Sequence, residues 1–220
     1  KYGGICGTDM HIYHDHYKTN PPVILGHEWA GQVVEVGPGV ESVQVGDRVT
    51  GIPPVYTCGR CRYCLEGHLM LCEHRVSFGS GVNGAFAKYA VLPARNIRHL
   101  PDNISYKAGA LSEPLACCVK AASLMTGIMA GDVVLVTGPG PIGLLAVQVA
   151  KAEGGYVVLA GTSVDEERMK IGQDLGADLT LNVEKDDVVS VIKGLTKGYG
   201  ADVVLECAGV PSATRLGIGA

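Results

Sequence analysis

Residues 133–143 place the tightest limit on what this 220-residue chain can fold into. Val133-Val134-Leu135-Val136 leads into Gly138-Pro139-Gly140-Pro141-Ile142-Gly143 and then into an apolar helical pattern running to residue 153. An apolar run without polar alternation suits a strand buried on both faces, which requires helices on either side of its sheet. The spacing G-x-G-x-x-G lets the chain turn sharply, lets a pyrophosphate approach the backbone and lets helix pack on strand. Alone the motif is weak in a chain with 31 glycines. Preceded by a strand and opening a helix, it reads as a dinucleotide loop, with phosphates facing the helix N-terminus at Pro141 and Ile142. A bare strand-to-helix turn is the bland alternative.

The rest of the chain sorts around that unit. Downstream, strands are expected at 156–160, 179–181 and 202–205, with helices at 166–175 and Val188–Leu195. Gly154-Gly155 and Gly176 supply helix stops. Alternating βαβ units imply a doubly wound parallel sheet with right-handed crossovers. Before residue 115 the pattern changes to short alternating segments at 32–36, 48–52 and 85–91, with turns at Gly37-Pro38-Gly39 and Gly46-Asp47. A helix over 113–127, with Pro114 in its first turn, is expected to bridge the halves. The fold class is therefore α/β, with a β-rich domain over 1–115 and a Rossmann-type domain over 116–220. Because the chain starts at Lys1 and stops soon after an apparent strand, it reads as a fragment incomplete at both ends.

Apolar residues make up 47% and charged residues 18%, enough for a packed core. The net charge is 18 − 22 = −4, with no basic block, so neither nucleic acid nor an anionic membrane is an expected partner. No apolar run is long enough to span a bilayer.

Four of the eight cysteines crowd together as Cys58, Cys61, Cys64 and Cys72, a C-x2-C-x2-C-x7-C array. Two-residue gaps let thiolates converge on one ion, and Gly59 eases the turn. Four soft ligands suit tetrahedral Zn²⁺, and a closed shell leaves no place for substrate, which makes the site structural. An iron–sulfur cluster or unliganded core cysteines are the alternatives, although the ferredoxin ending C-x3-C-P is absent. Clustered rather than dispersed cysteines favour metal binding in a reducing, cytoplasmic setting.

A second constellation is dispersed: Cys6-Gly7-Thr8-Asp9, Gly26-His27-Glu28 and Glu113-Pro114-Leu115. Sulfur, imidazole and carboxylate from separate loops are what a catalytic zinc takes, three ligands and one open position. The runs Gly3-Gly4-Ile5-Cys6-Gly7-Thr8-Asp9 and Gly26-His27-Glu28-Trp29-Ala30-Gly31, with Gly46-Asp47-Arg48-Val49, the cysteine quartet and the glycine loop, resemble the zinc-containing medium-chain dehydrogenase/reductase superfamily. The resemblance covers essentially the whole chain. Glu113-Pro114-Leu115 looks like the sorbitol and threonine dehydrogenase branch. It implies a GroES-like catalytic domain, two zinc ions per chain, a small alcohol or polyol substrate, and a homodimer or homotetramer. It also implies Cys6 and His27 as zinc ligands with Glu28 or Glu113 as the third, Thr8 against the reacting alcohol oxygen, Asp9 behind the ligands, and His11 at the outer end of a proton relay. An exposed His11 without a role is the alternative reading, with His14 and His16 beside it.

The expected chemistry is hydride transfer between a secondary alcohol and NAD or NADP in the cleft between the domains, with Cys207-Ala208-Gly209 beside the nicotinamide. The competing readings are a zinc-independent quinone or enoyl reductase of the same superfamily, and a non-catalytic zinc-ribbon and nucleotide-sensing module. Where an NAD-binding carboxylate is expected, at the end of the second strand, the sequence has Gly161-Thr162-Ser163, with Asp165 the first acid. Thr162 and Ser163 are suited to donate to a 2′-phosphate and Arg168 is the nearest cation, so NADP stands beside NAD. Asp165 on a longer loop is the NAD alternative.

Overall fold

The computed structural model describes residues 1–220, which part into two compact units, Lys1–Glu113 and Pro114–Ala220. In the first unit, β1 (Tyr2–Gly4) leads into α1 (Gly7–Tyr13), followed by β2 (Glu28–Gln32), β3 (Arg48–Gly51) and β4 (Pro54–Tyr56). Then come α2 (Arg62–Leu65), β5 (Val76–Ser77), β6 (Ile97–His99) and α3 (Tyr106–Gly109). The order β1-β2-β3-β6 forms an antiparallel sheet, and β4 pairs with β5. The register sets Gly4 opposite Glu28 and Gly3 opposite Trp29. This pairing brings the first potential ligand loop beside the second. Ala30, Leu100 and Ala110 form the small buried cluster of this unit.

One expected strand is displaced and another is absent. The strand expected at 32–36 lies at Glu28–Gln32, because β1 pairs with its first residues and the hairpin ladder ends at Val33. There Val33 N donates to Asp47 O, Val33 O accepts from Gly46 N, and Gly46 at φ +100° turns the chain away. The segment 85–91 forms no strand. Gly84, Ala85 and Phe86 spend their N–H groups on the irregular carbonyls of Ile24, Gly26 and Leu25, and Tyr89 and Val91 point into solvent. Alternation signalled a half-buried strand, but no ladder partner lies alongside.

A helix, α4 (Ser112–Val119), leads into the second unit and passes into a π-helical turn over Lys120–Met125. The single helix expected over 113–127 is thus broken in character. The Thr126 hydroxyl donates to Ala122 O at 2.7 Å, taking the carbonyl that its own N–H needs in an α-helix. Thr126 N then reaches back to Ala121 O at 3.1 Å and the turn widens.

The second unit alternates β7 (Val133–Thr137), α5 (Pro141–Ala152), β8 (Tyr156–Gly161), α6 (Glu166–Asp174), β9 (Leu179–Asn182), α7 (Val188–Leu195), β10 (Val203–Glu206) and α8 (Pro211–Gly219). All sheet pairs are parallel, in the order β10-β7-β8-β9. Val133 through Thr137 are buried, as the uninterrupted apolar run required. One face packs Val134, Val136, Val157 and Leu159 against Ala146, Val147 and Ala150 of α5. The other packs Leu135, Val158 and Leu181 against Val188 and Ile192 of α7. Each such aliphatic side chain contributes roughly 1.5–3 kcal/mol by leaving water. No helix is long and apolar enough to cross a membrane.

Candidate active site and metal centres

The cysteine quartet is built by tight turns. Gly59 adopts φ +69°, α2 starts at Cys61 and carries Cys64 in its first turn, and a short 3₁₀ turn over Leu69–Leu71 delivers Cys72. One sulfur from each of the four lies within 4.8 Å of the others, and the Cys58 and Cys64 sulfurs are 4.0 Å apart. A tetrahedron with metal–sulfur bonds of ~2.3 Å has edges of about 3.8 Å, so the spacing fits a single zinc ion. Backbone N–H groups of Arg60 and Cys61 hold the Cys58 thiol well below its usual range, while burial pushes Cys64 up. N–H groups of Cys58 and Cys61 point at the sulfurs of Cys72 and Cys58, each at 3.4 Å, which favours thiolate. The four sulfurs of the quartet are not joined by disulfides.

The dispersed ligands also converge. Cys6, at the N-cap of α1, and His27 and Glu28, at the start of β2, bring one ligand atom each to within 4.8 Å of one another. Glu113 stands outside this trio, yet its charge acts on His27 and feels Glu28. Hydrogen bonding between Cys6 and His27 pulls the thiol down and lifts the imidazole to about 9. Burial raises both Glu28 and Glu113 above the ordinary carboxylate range, partly offset by His27. Soft sulfur, imidazole nitrogen and carboxylate oxygen, one atom apiece, form a donor set suited to zinc with one position left over.

Asp9 ties the two ligand loops together. It is only 3% exposed. Its Oδ2 accepts from Cys6 N at 2.9 Å, its Oδ1 accepts from Gly26 N at 3.2 Å, and Oδ1 lies 3.6 Å from His27 Nδ1. A carboxylate facing Nδ1 leaves Nε2 as the nitrogen available to a metal. Thr8 sits next in α1, its hydroxyl 3.7 Å from the Cys6 sulfur. His11 is exposed at the last turn of α1, its ring 6.0 Å from that of His16.

Two supporting residues escaped the sequence reading. A Cβ on Gly4 would lie 2.2 Å from Glu28 Oε2, so Gly4 makes the room in which this carboxylate sits. At Gly26, φ is +93° and a Cβ would meet the Phe86 ring at 2.4 Å. The adjacent Gly3-Gly4 before Cys6 was the available signal; nothing local marks Phe86 as the residue that covers Gly26.

In the second unit the glycine loop has three distinct environments. Gly138, at φ +85°, would drive a Cβ to 2.7 Å from Ala208 Cα, so the loops after β7 and β10 touch. Gly143 would put its Cβ 1.9 Å from Gly138 O, fixing α5 tightly on the loop. A Cβ on Gly140 would meet nothing within 4 Å. Gly140 caps α5, Pro141 is its first residue, and the N–H groups of Ile142 and Gly143 begin the helix without intrahelical acceptors. This open, positively polarised cradle between strands that diverge in topology fits a dinucleotide pyrophosphate.

At the end of β8, Gly161 packs against Pro139 and Met169. Thr162 N and Oγ1 both donate to Asp165 Oδ2, at 3.1 and 2.7 Å, and Arg168 reaches Asp165 Oδ1 at 3.3 Å. Ser163 N donates to Glu184 Oε2 at 3.0 Å, and Ser163 Oγ accepts from Asn182 Nδ2 at 3.0 Å. The Thr162 and Ser163 donors expected for a 2′-phosphate therefore already have carboxylate partners.

Comparison with known proteins agrees with this architecture. The alcohol dehydrogenase GroES-like domain matches residues 1–102, and the zinc-binding dehydrogenase domain matches residues 141–220. The chain belongs to the zinc-binding dehydrogenases. It is 46% identical to the sorbitol dehydrogenase of Halalkalibacterium halodurans over 99% of its own length and 63% of that protein's. A zinc-binding dehydrogenase structure from Sinorhizobium meliloti 1021 bound to NADP superposes with a TM-score of 0.91 at 38% identity, over 99% of this chain and 63% of that one. An alcohol dehydrogenase of Escherichia coli CFT073 complexed with NADH gives 0.84 at 33% identity, over 97% and 63%. The chain spans less than two thirds of these relatives, and relatives of similar likeness carry different dinucleotides.

Proposed function

We propose that the chain is the catalytic-domain and nucleotide-domain portion of a zinc-dependent, NAD(P)-dependent oxidoreductase acting on a secondary alcohol or polyol. The observation that carries this reading is the convergence of Cys6, His27 and Glu28, a three-donor set, alongside a closed set of four cysteines. Cys6, His27 and Glu28 would hold the catalytic zinc; Glu28 is preferred to Glu113 as the carboxylate ligand because it belongs to the trio. Cys58, Cys61, Cys64 and Cys72 would hold the structural one.

Zinc at the trio supplies Lewis acidity that makes an alcohol oxygen acidic near neutral pH. The chain's own residues do the remaining work. Asp9 locks the Cys6 and Gly26 backbones and the His27 ring, so the donors are ordered before substrate arrives. Thr8 Oγ1 would take the alcohol proton while giving up its own hydroxyl proton outward, and exposed His11 would exchange that proton with solvent. The loop Gly138–Gly143 and the residues Cys207, Ala208 and Gly209 hold the dinucleotide in place for hydride transfer, chemistry the cofactor carries. We assign residues 1–115 to the zinc-binding domain and 116–220 to the nucleotide domain, in a cytoplasmic homodimer or homotetramer with no nucleic-acid or membrane partner.

A zinc-independent reductase would have no use for the trio, and a zinc-ribbon sensor would leave it unexplained. The test is metal content together with turnover on polyols, threonine and simple secondary alcohols, using the full protein. Two zinc ions per chain, with alcohol-dependent cofactor reduction lost on chelation, is the expected result. Full turnover in metal-free protein would refute the reading.

A further inference from the structure

The end of β8 lacks the carboxylate that ordinarily receives the adenosine ribose, yet the site is not short of negative charge. We propose that Glu184, on the loop after β9, is the residue that selects the dinucleotide, accepting the ribose 2′-hydroxyl and excluding a 2′-phosphate. The proposal rests on the dinucleotide reading above and makes the protein NAD-preferring.

The residues at the strand end divide the labour. Asp165, the first acid after β8, has both oxygens committed: Oδ2 caps Thr162, and Oδ1 meets Arg168. It is therefore a local brace, and it also neutralises the nearest cation. Thr162 spends both donors on that brace. Ser163 gives its N–H to Glu184 Oε2 at 3.0 Å, while its hydroxyl oxygen is held by buried Asn182 at 3.0 Å. Asn182 ends β9, which lies directly beside β8 with Gly161 opposite Asn182. The β9 loop thus carries Glu184 to the carboxyl end of β8, where a doubly wound sheet receives the ribose. Glu184 is the exposed acid of the group, with Oε2 anchored at Ser163 and Oε1 left as the ribose acceptor.

The charge balance also favours NAD. Hydrogen bonds from Ser163 hold Glu184 below its ordinary range, and those from Thr162 do the same for Asp165, so both are ionised at neutral pH. A 2′-phosphate would bring roughly −1.5 to −2 more charge against the Glu184 and Asp165 carboxylates. Arg168 is already paired to Asp165, and Lys185, whose charge also acts on Glu184, lies 3.6 Å from Glu166. To bind, it would have to break Thr162 or Ser163 away from an ionised partner.

The test is calorimetric titration of the full protein with NAD⁺ and with NADP⁺, for the native protein, Glu184→Gln and Glu184→Lys. Native protein should bind NAD⁺ at least tenfold more tightly. Removing one charge a few ångströms from a phosphate should shift the NADP⁺/NAD⁺ affinity ratio about tenfold toward NADP⁺, and Glu184→Lys should shift it further. Glu184 is exposed, so melting temperatures should stay level. Equal or tighter NADP⁺ binding by native protein would overturn the proposal, as would a ratio unmoved in both variants. Failure of both dinucleotides to bind would instead overturn the dinucleotide reading, and this one with it.

Discussion

Gly4→Ala separates the integrity of the fold from that of the catalytic metal site. Gly4 lies in β1 opposite Glu28, and its backbone has no positive φ, so alanine is conformationally acceptable there. By restricting the unfolded chain, the change should even stabilise by about 0.4–1 kcal/mol. The new Cβ, however, lies 2.2 Å from Glu28 Oε2, against an ordinary contact near 3.4 Å. The carboxylate oxygen must therefore retreat by 3.4 − 2.2 = 1.2 Å. Metal ligation tolerates deviations of only about 0.2 Å, so the carboxylate would leave the trio while the flexible end of its side chain absorbs the clash. Losing this donor should weaken the catalytic metal at least as much as outer-shell changes do, about 10–100-fold. The readouts are zinc per chain by mass spectrometry after dialysis against a weak chelator, the melting temperature, and kcat/KM. We expect one zinc lost, activity lost, and a melting temperature within a few degrees of native. Gly3→Ala is the control, since its Cβ would meet Glu28 O at an ordinary 3.5 Å. Retention of native zinc content and kcat/KM in Gly4→Ala would show that Glu28 is not the ligand and transfer that role to Glu113.

Three further perturbations have outcomes set by the geometry. Gly140→Ala should fold normally, because its Cβ meets nothing within 4 Å, yet weaken dinucleotide binding at least tenfold in calorimetry by filling the cradle; Gly143→Ala, with its Cβ 1.9 Å from Gly138 O, should destabilise by about 1–3 kcal/mol in denaturant melts as well. Cys58→Ser should remove the structural zinc and lower the melting temperature while the ligand trio stays assembled; unchanged zinc content would refute the quartet assignment. Asp165→Ala should cost about 1 kcal/mol by removing the Thr162 cap. Because hydrogen bonding from Thr162 holds the folded Asp165 below its ordinary value of 3.8, that contribution is complete above about pH 4–5 and fades as pH falls through the lower, folded value. Melts of native and Asp165→Ala protein should therefore converge only in acid, and a constant gap down to pH 2 would count against the assignment.

What could be read from sequence depended on whether the signal was local. The second unit was legible almost element by element, because uninterrupted Val/Leu runs, helix periodicity and glycine stops each operate within a dozen residues. Val188–Leu195 matches residue for residue, and β7 differs by one residue. The first unit was less legible because its strands are short and their limits are set by partners far away in sequence. Residues 32–36 alternate well enough, but β1 decides where β2 begins, and the Gly46 turn decides where it ends. Residues 85–91 look like a strand until their N–H groups are found on the irregular backbone of 24–26.

The same distinction runs through the sites. Cys58, Cys61, Cys64 and Cys72 are packed into fifteen residues, so spacing alone announces them, and a closed shell needs little from the rest of the fold. The trio is divided between residues 6 and 27–28, and what unites it is invisible to any window: the Gly4–Glu28 register and Asp9 bonding to both loops. A site that must keep one position open cannot be closed by its own ligands, so its geometry has to be imposed from outside by buried groups such as Asp9 and by space such as that left at Gly4. The nucleotide end repeats the lesson. Gly161-Thr162-Ser163 suggested room for a phosphate because local sequence shows only which donors exist. Parallel pairing of β8 with β9 sets Asn182 and Glu184 beside them, and the donors are already taken. If Glu184 selects as proposed, discrimination between the dinucleotides belongs to two adjacent crossovers rather than to the strand end alone.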